Sequence, residues 1–305
     1  MSRSTVVSSK SKKNWANRWV RRLLFGGHLP PRQVLMIMGA QRSGTTLLSR
    51  IFDDLYYADV FGEFSKMSSD DRIGLRLNCP QKVNGVLTKS KANLVLMKPL
   101  VESQRAQYWL KSIPRSKIVW LYRDFHDVAA SSVLKFGEVE GGDSHLRAFV
   151  DEEFAKRDYV TWKSENASKD TLDVMMAYQR DGMSPHDSAA LFWFARNTLF
   201  FEQNLDSMRD VLLVKYEEFV KHPFLVMAYI LDQFGICEIR SNTLYDIHRQ
   251  SVGKGSTYPL HDRVRETCSA LLSRLDQQFY RTPLGLMLAG HGKVCGGDSS
   301  LQIPN

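Results

Sequence analysis

The feature that most constrains the fold is a loop bounded by two glycines, set between a buried strand and a helix. Residues 34–38 are continuously apolar, and residues 45–55 have helical periodicity. Between them lie Gly39 and Gly44, separated by four residues. Glycines allow a tight turn in which successive amides converge, and the following helix directs its positive end at the same point. The sequence therefore predicts an anion-binding loop of the P-loop type.

Three further apolar runs, each followed by a helical pattern, repeat this organisation at residues 94–98, 117–122 and 210–216. Strands that are apolar on both faces and alternate with helices indicate a parallel sheet covered on both sides. Residues 137–187 differ, since they are charged and contain glycines, and they predict an insertion over the sheet edge or the strand ends. The predicted fold class is α/β, with a P-loop-type parallel sheet flanked by helices and a helical or loop insertion.

The charge distribution divides the chain into a basic tail, residues 1–33, and a neutral body. The tail holds eight of the 41 Lys and Arg residues and no acid, so the remaining 33 basic residues balance the 33 acidic ones. The net charge of +8 therefore predicts no specific nucleic-acid partner for the body. For the tail three interpretations stay open: a solvated arm, an amphipathic helix making peripheral contact with an anionic membrane, or an organelle transit peptide. We expect one catalytic domain over residues 34–290 and a flexible C-terminal tail over residues 291–305.

The remaining composition favours a cytoplasmic protein, with membrane association or organelle targeting left to the tail. No apolar stretch approaches the roughly 20 residues that span a bilayer. The four cysteines lack metal-ligand spacing, which fits a reducing compartment, and they are expected to pack as small apolar residues.

The predicted loop lacks the lysine of nucleoside triphosphatases. In those proteins a Lys follows the second glycine and reaches the β- and γ-phosphates. Here that position is Thr45, and the only cation of the loop is Arg42. Thr45 and Thr46 add hydroxyl donors. This pattern argues against hydrolysis of ATP or GTP, because the positive charge meets the anion at a different point.

The run Arg42-Ser43-Gly44-Thr45-Thr46, followed by a leucine, resembles the phosphosulfate loop of sulfotransferases that use 3′-phosphoadenosine-5′-phosphosulfate (PAPS). It is most similar to the branch that includes tyrosylprotein sulfotransferases and many bacterial enzymes. The resemblance implies that these five residues hold the 5′-phosphosulfate of PAPS, with PAP as the product.

A second motif supports the first. Arg123 directly follows the strand predicted at residues 117–122, and Ser131 lies eight residues later on the next predicted helix. An Arg at a strand end and a Ser two turns into a helix can converge on one phosphate. The family resemblance implies that this pair binds the 3′-phosphate of PAPS. The alternative is a surface Arg–Asp pair.

Two later segments also resemble the family. Tyr216 lies in a Tyr-Glu segment at a strand end, which in the family lies near the adenine. Lys254 and Gly255 resemble the late Lys-Gly element that touches the 3′-phosphate or the phosphosulfate.

The catalytic assignments follow from the needs of sulfuryl transfer: in-line geometry, stabilisation of the leaving group and a base. Arg42 is assigned to the leaving group. Cytosolic family members carry a general-base His two residues after a Lys that here corresponds to Lys98; this chain has no such His, and Glu63 is the replacement we favour. Glu63 as an ordinary surface or salt-bridged residue stays open, as does His126 as the base. Lys98 either assists the leaving group, binds an acidic acceptor or pairs with a carboxylate.

The sequence predicts no metal, because the transferred group carries less charge than a phosphoryl group and no metal-ligand cluster is present. The competing functions are a P-loop kinase and a catalytically silent nucleotide-binding protein. The acceptor is predicted to be a small or medium molecule, a sugar, lipid, phenol or peptide, selected by segments such as residues 137–187.

Overall fold

The computed structural model describes residues 32–69, 74–178, 183–237, 239 and 241–294. Residues 1–31 of the basic tail lie outside the described residues, and so do residues 295–305. The predictions of peripheral membrane contact and organelle targeting through the tail therefore concern a segment that the structure does not describe.

Strands and helices alternate along most of the described chain. They are, in order, β1 (Gln33–Gly39), α1 (Thr45–Asp54), β2 (Ala58–Phe61), α2 (Pro80–Lys89), β3 (Leu94–Met97), α3 (Ala106–Ser112), β4 (Ser116–Tyr122), α4 (Phe125–Glu138), α5 (Ser144–Val150), α6 (Glu152–Arg157), α7 (Lys169–Tyr178), α8 (Pro185–Glu202), β5 (Val211–Lys215), α9 (Tyr216–Lys221), α10 (Pro223–Asp232), α11 (Asn242–Tyr245), α12 (Asp262–Phe279) and α13 (Pro283–Val294). A 3₁₀ helix, Leu100–Arg105, connects β3 to α3.

Within the described residues the strands form a five-stranded sheet in the order β2-β3-β1-β4-β5, and every neighbouring pair is parallel. The predicted α/β fold with a parallel sheet is therefore confirmed. The chain leaves β1 for β2 and β3 on one side and returns to β4 on the other, so β1 lies at the point where the strand order reverses. Ligands of open α/β sheets bind at the carboxyl ends of the strands beside such a point.

The sequence predicted four of the five strands and missed β2. This strand has four residues, lies at the sheet edge and is partly exposed along most of its length. Asp59 interrupts its apolar pattern, and its side chain accepts a hydrogen bond from the Ser90 hydroxyl. An edge strand, which pairs with a neighbouring strand on one side only, does not need the continuous apolar run that marks a central parallel strand.

The core is formed by the strands and by the aromatic helix α8. Leu35, Met36 and Ile37 of β1 are fully buried. Trp120 of β4 packs against Phe200 of α8, with ring centroids 5.6 Å apart. Aromatic side chains of α8 therefore belong to the core.

The described part of residues 137–187 is largely helical, and Glu165 connects it to the segment after β3. Its carboxylate accepts hydrogen bonds from Arg76 Nη1 at 2.5 Å and from Gln104 Nε2 at 2.8 Å. Gln104 belongs to the 3₁₀ helix that follows β3, so the segment lies beside the carboxyl end of that strand.

Three further observations concern the periphery. The prediction that the cysteines pack as apolar residues holds for Cys268, which is buried, and is wrong for Cys79 and Cys237, which are exposed. Helix α13 continues to Val294, so the first part of the predicted C-terminal tail is helical. In the described part of the chain, no helix combines the length and apolar character needed to cross a membrane.

Candidate active site

Each of the five strands is followed by a predicted site residue: Arg42 after β1, Glu63 after β2, Lys98 after β3, Arg123 after β4 and Tyr216 after β5. Since the carboxyl ends of parallel strands meet at one edge of a sheet, these residues converge. They line a single open cavity of about 360 Å³. Its lining comprises Gln41, Arg42, Gly44, Thr45, Thr46, Glu63, Lys98, Leu100, Arg123, Ser131, Phe136, Tyr216 and Ser251.

The loop between β1 and α1 turns through left-handed backbone at Arg42 (φ 67°) and Gly44 (φ 92°). A Cβ atom at Gly44 would lie 2.3 Å from Tyr216 Cδ2, so the Tyr216 ring packs directly on this glycine. Within α1, the amide of Leu48 donates to the Gly44 carbonyl at 3.2 Å. The amides of the first helical turn have no intrahelical acceptor and are available to an anion.

Arg42 reaches from the loop to α4. Its Nε and Nη2 atoms donate to the hydroxyl of Ser131 at 3.1 and 3.0 Å. Burial and, second, the positive charge of Arg123 lower the pKa of Arg42 below its ordinary value. Among the described residues no carboxylate lies within ion-pair distance of Arg42, so its charge is available to a bound anion.

Arg123 is buried and is fixed on several sides. Its Nη2 atom lies 3.0 Å from Asp127 Oδ2 and also donates to the Ser251 carbonyl. Its guanidinium lies over the Tyr216 ring, 4.5 Å from the centroid. Arg123 and Ser131 line the same cavity, although the hydroxyl of Ser131 contacts Arg42 and not Arg123.

Lys98 lies between the loop helix and Glu63. Its Nζ atom donates to Thr46 Oγ1 at 3.0 Å and lies 3.8 Å from Glu63 Oε2. The side chains of Lys98 and Glu63 are 12% and 24% exposed. A carboxylate and an ammonium group thus face the cavity together, within reach of the beginning of α1.

Four residues considered from the sequence lie outside the cavity lining: Ser43, which is fully buried, Lys254, Gly255 and His126. Lys254 is exposed, whereas Gly255 is buried against the backbone of α4. The backbone amide of Gly255 donates to Asp127 Oδ1 at 2.7 Å. His126 stacks on the neighbouring Phe125 with ring centroids 4.1 Å apart, and its Nδ1 lies 3.3 Å from Asp124 Oδ1.

Sequence reasoning missed Asp127, Ser251 and Phe136. The Arg–Asp pair considered as an alternative exists, but it involves Asp127 and is buried, so the surface interpretation is wrong. The spacing of four residues between Arg123 and Asp127 was an available signal. Ser251 and Phe136 carried no local sequence signal. The ring centroid of Phe136 lies 5.8 Å from Arg42 Cζ.

In the part of the chain that the structure describes, no group of three or more His, Cys, Asp or Glu residues is arranged to hold a metal ion.

The comparison with protein-family models matches residues 32–252 to the sulfotransferase domain. Among solved structures, the sulfotransferase domain of the Synechococcus PCC 7002 olefin synthase is 16% identical, with 84% of this chain and 98% of that chain covered and a TM-score of 0.43. The sulfotransferase from Alicyclobacillus acidocaldarius is 16% identical, with 82% and 95% covered and a TM-score of 0.43. A mouse sulfotransferase complexed with PAP is 15% identical, with 85% and 89% covered and a TM-score of 0.38. No curated protein matches the chain. The matched region contains every residue that lines the cavity.

Proposed function

The chain belongs to the sulfotransferase family, and from this premise we propose that it transfers a sulfuryl group from PAPS to a hydroxyl or amine by in-line displacement, without a metal. The acceptor is a small or medium molecule: a sugar, lipid, phenol or peptide. Residues 34–290 form the catalytic unit in this proposal, and residues 137–187 border the acceptor. No specific nucleic acid takes part.

The observation that carries the proposal is the presence of two cationic anchors in one cavity. The first is the loop after β1 with Arg42, and the second is Arg123 at the end of β4. PAPS carries anionic groups at both ends of its ribose, the 5′-phosphosulfate and the 3′-phosphate. One anchor for each group distinguishes this ligand from adenine nucleotides that have a single phosphate chain.

One unpaired polar atom fits such a ligand. Arg123 lines the cavity, and in the described structure its Nε atom is buried and has no hydrogen-bond partner. A buried donor without an acceptor costs about 1–3 kcal/mol. An anion bound at Arg123 would satisfy this donor.

In the proposed reaction, the acceptor oxygen or nitrogen forms a bond to sulfur as the bond between sulfur and the bridging oxygen breaks. PAP leaves with the electron pair of that bond. Arg42 and Lys98 would stabilise the negative charge that develops on the leaving oxygen, since both line the cavity beside the beginning of α1. The hydrogen bond between Lys98 and Thr46 holds the ammonium group at this end of the loop.

Glu63 is the base in this proposal and receives the proton of the acceptor. Among the described residues that line the cavity, it is the only acidic one. Lys98, 3.8 Å away, holds the carboxylate in the cavity. His126, the alternative base, stacks on Phe125 and lies outside the cavity lining.

Ligand preference tests the nucleotide assignment. We expect PAP to raise the melting temperature of the purified protein more than AMP, or than ATP with Mg²⁺, at equal concentrations. A preference for ATP with Mg²⁺ would favour the P-loop kinase and contradict the proposal. A chelator such as EDTA should leave the shift caused by PAP unchanged.

Transfer itself is tested with PAPS labelled with radioactive sulfur and acceptor extracts. We expect label to enter an acceptor fraction, and the fraction identifies the acceptor class. Binding of PAP with no transfer to sugars, lipids, phenols or peptides would favour the silent nucleotide-binding protein.

A further inference from the structure

Asp127 is a buried carboxylate in the first turn of α4 that connects Arg123 to a distant part of the chain. Its Oδ2 atom lies 3.0 Å from Arg123 Nη2 and accepts a hydrogen bond from the Gly253 amide at 2.9 Å. Its Oδ1 atom accepts one from the Gly255 amide at 2.7 Å. Both carboxylate oxygens are therefore used: Oδ2 contacts Arg123 and Gly253, and Oδ1 contacts Gly255.

The segment from Ser251 to Gly255 is fixed to the same site by further contacts. The Ser251 carbonyl accepts from Arg123, and its hydroxyl lies 2.9 Å from the Tyr216 hydroxyl. At Gly255 a Cβ atom would lie 2.1 Å from the carbonyl carbon of His126, so only glycine allows this approach to α4. The segment, α4 and the beginning of α9 thus meet around the Arg123 guanidinium.

We infer that Asp127 is a positioning residue that sets the preference for nucleotides carrying a 3′-phosphate. It holds the Arg123 guanidinium and the 251–255 segment in one arrangement before the ligand binds. A long side chain that is already ordered loses less conformational freedom on binding, and this increases affinity. The inference rests on the proposed function, in which Arg123 binds the 3′-phosphate.

The negative charge of Asp127 and its positioning role have opposite effects on the affinity for PAP. A negative charge 3.0 Å from Arg123 opposes the binding of an anion there. If charge alone mattered, removing it would tighten the binding of PAP. If positioning dominates, the same change weakens binding, so the two effects differ in sign.

The test is the isosteric change Asp127→Asn, with dissociation constants measured by calorimetry for PAP and for AMP, which lacks the 3′-phosphate. The amide cannot accept hydrogen bonds at both former carboxylate oxygens, so the contact with Gly253 or that with Gly255 is lost. We expect about tenfold weaker binding of PAP and an AMP affinity within about twofold of the wild type.

The matched control is Asp124→Asn. Asp124 lies at the beginning of the same helix, and its Oδ1 accepts from the His126 amide at 2.9 Å, a role that Asn fills equally well. The substitution removes the same negative charge. In the described structure, the Asp124 side chain makes no hydrogen bond or ion pair with Arg123 or the 251–255 segment. Both ligands should bind this variant as they bind the wild type.

Three results would overturn the inference: tighter binding of PAP by Asp127→Asn, equal losses for PAP and AMP, or no loss at all. If Asp127→Asn shows no cooperative thermal transition, Gly255→Ala replaces it. That variant keeps Asp127 and displaces the segment, and unchanged PAP affinity would be equally contrary. Wild-type protein that binds PAP no better than AMP would refute the proposed function, and the inference with it, before any variant is made.

Discussion

Gly44→Ala is a sharp test of the loop geometry, because two separate costs can be assigned to one methyl group. Gly44 has φ 92°, and left-handed backbone costs a residue with a Cβ about 1–2 kcal/mol. The same Cβ would lie 2.3 Å from the Tyr216 ring, and forcing extra volume into a packed site typically costs about 1–3 kcal/mol. We expect the free energy of unfolding to fall by roughly 2–5 kcal/mol, the sum of these two terms.

Urea denaturation measures this loss, and a double-mutant cycle with Tyr216→Ala separates the two terms. Without the ring the collision disappears and the backbone cost stays, so Gly44→Ala should cost only about 1–2 kcal/mol in that background. Gly85→Ala is the control. Gly85 lies in the exposed interior of α2 with no atom within 4 Å of an added Cβ, and this change should stabilise the protein by roughly 0.5–1 kcal/mol.

The geometric argument fails if Gly44→Ala unfolds at the same urea concentration as the wild type. It also fails if the substitution costs equally much with and without the Tyr216 ring. In that case the ring does not pack on the loop, and the contact between the carboxyl ends of β1 and β5 would have to be abandoned.

Four further predictions concern single side chains. Arg42→Ala should abolish transfer while leaving the melting temperature nearly unchanged; near-normal turnover at saturating PAPS would contradict the role of Arg42. Ser131→Ala should weaken PAP binding about three- to tenfold in calorimetry, because it removes the hydroxyl that orients Arg42. Glu63→Gln should lower kcat by roughly 10²–10⁴ with the affinity for PAP unchanged, and full kcat would exclude Glu63 as the base. Burial lowers the pKa of Lys163 from 10.5 to about 8, so its buried charge destabilises the fold below pH 8 and is relieved as the pH rises toward 10.5. The stability of Lys163→Met relative to the wild type should therefore be roughly 2–3 kcal/mol greater at pH 7 than at pH 10 in urea denaturation, and a constant difference would contradict this.

Features formed by contiguous residues were predicted from the sequence. Features that depend on the position of a segment in the fold were predicted less well. The loop from Gly39 to Thr46 was found because its strand, its glycines and its helix are contiguous. Arg123 was found because it directly follows an apolar strand. By contrast, β2 was missed because it lies at the sheet edge and lacks a continuous apolar run.

The relations among the site residues were less accessible. The sequence grouped Ser131 with Arg123, but the hydroxyl is hydrogen-bonded to Arg42, 89 positions away. Its assignment of Lys254 to the nucleotide stays a prediction; in the described structure this side chain is exposed and the neighbouring Gly255 is buried. Helix orientation decides which side chain of a turn faces a cavity, and spacing alone does not fix that orientation.

The α/β class, the anion-binding loop and the charged residues that follow the strands could be predicted from the amino-acid sequence, because they are local patterns of apolar periodicity and glycine placement. Three features become visible only in the folded chain: the five strand ends share one cavity, Lys98 lies between Thr46 and Glu63, and Asp127 accepts from the amides of Gly253 and Gly255. Strand order and helix packing bring together residues that are far apart in the chain, such as Asp127 and Gly255, which are 128 positions apart. Those contacts form only when the whole sheet has assembled.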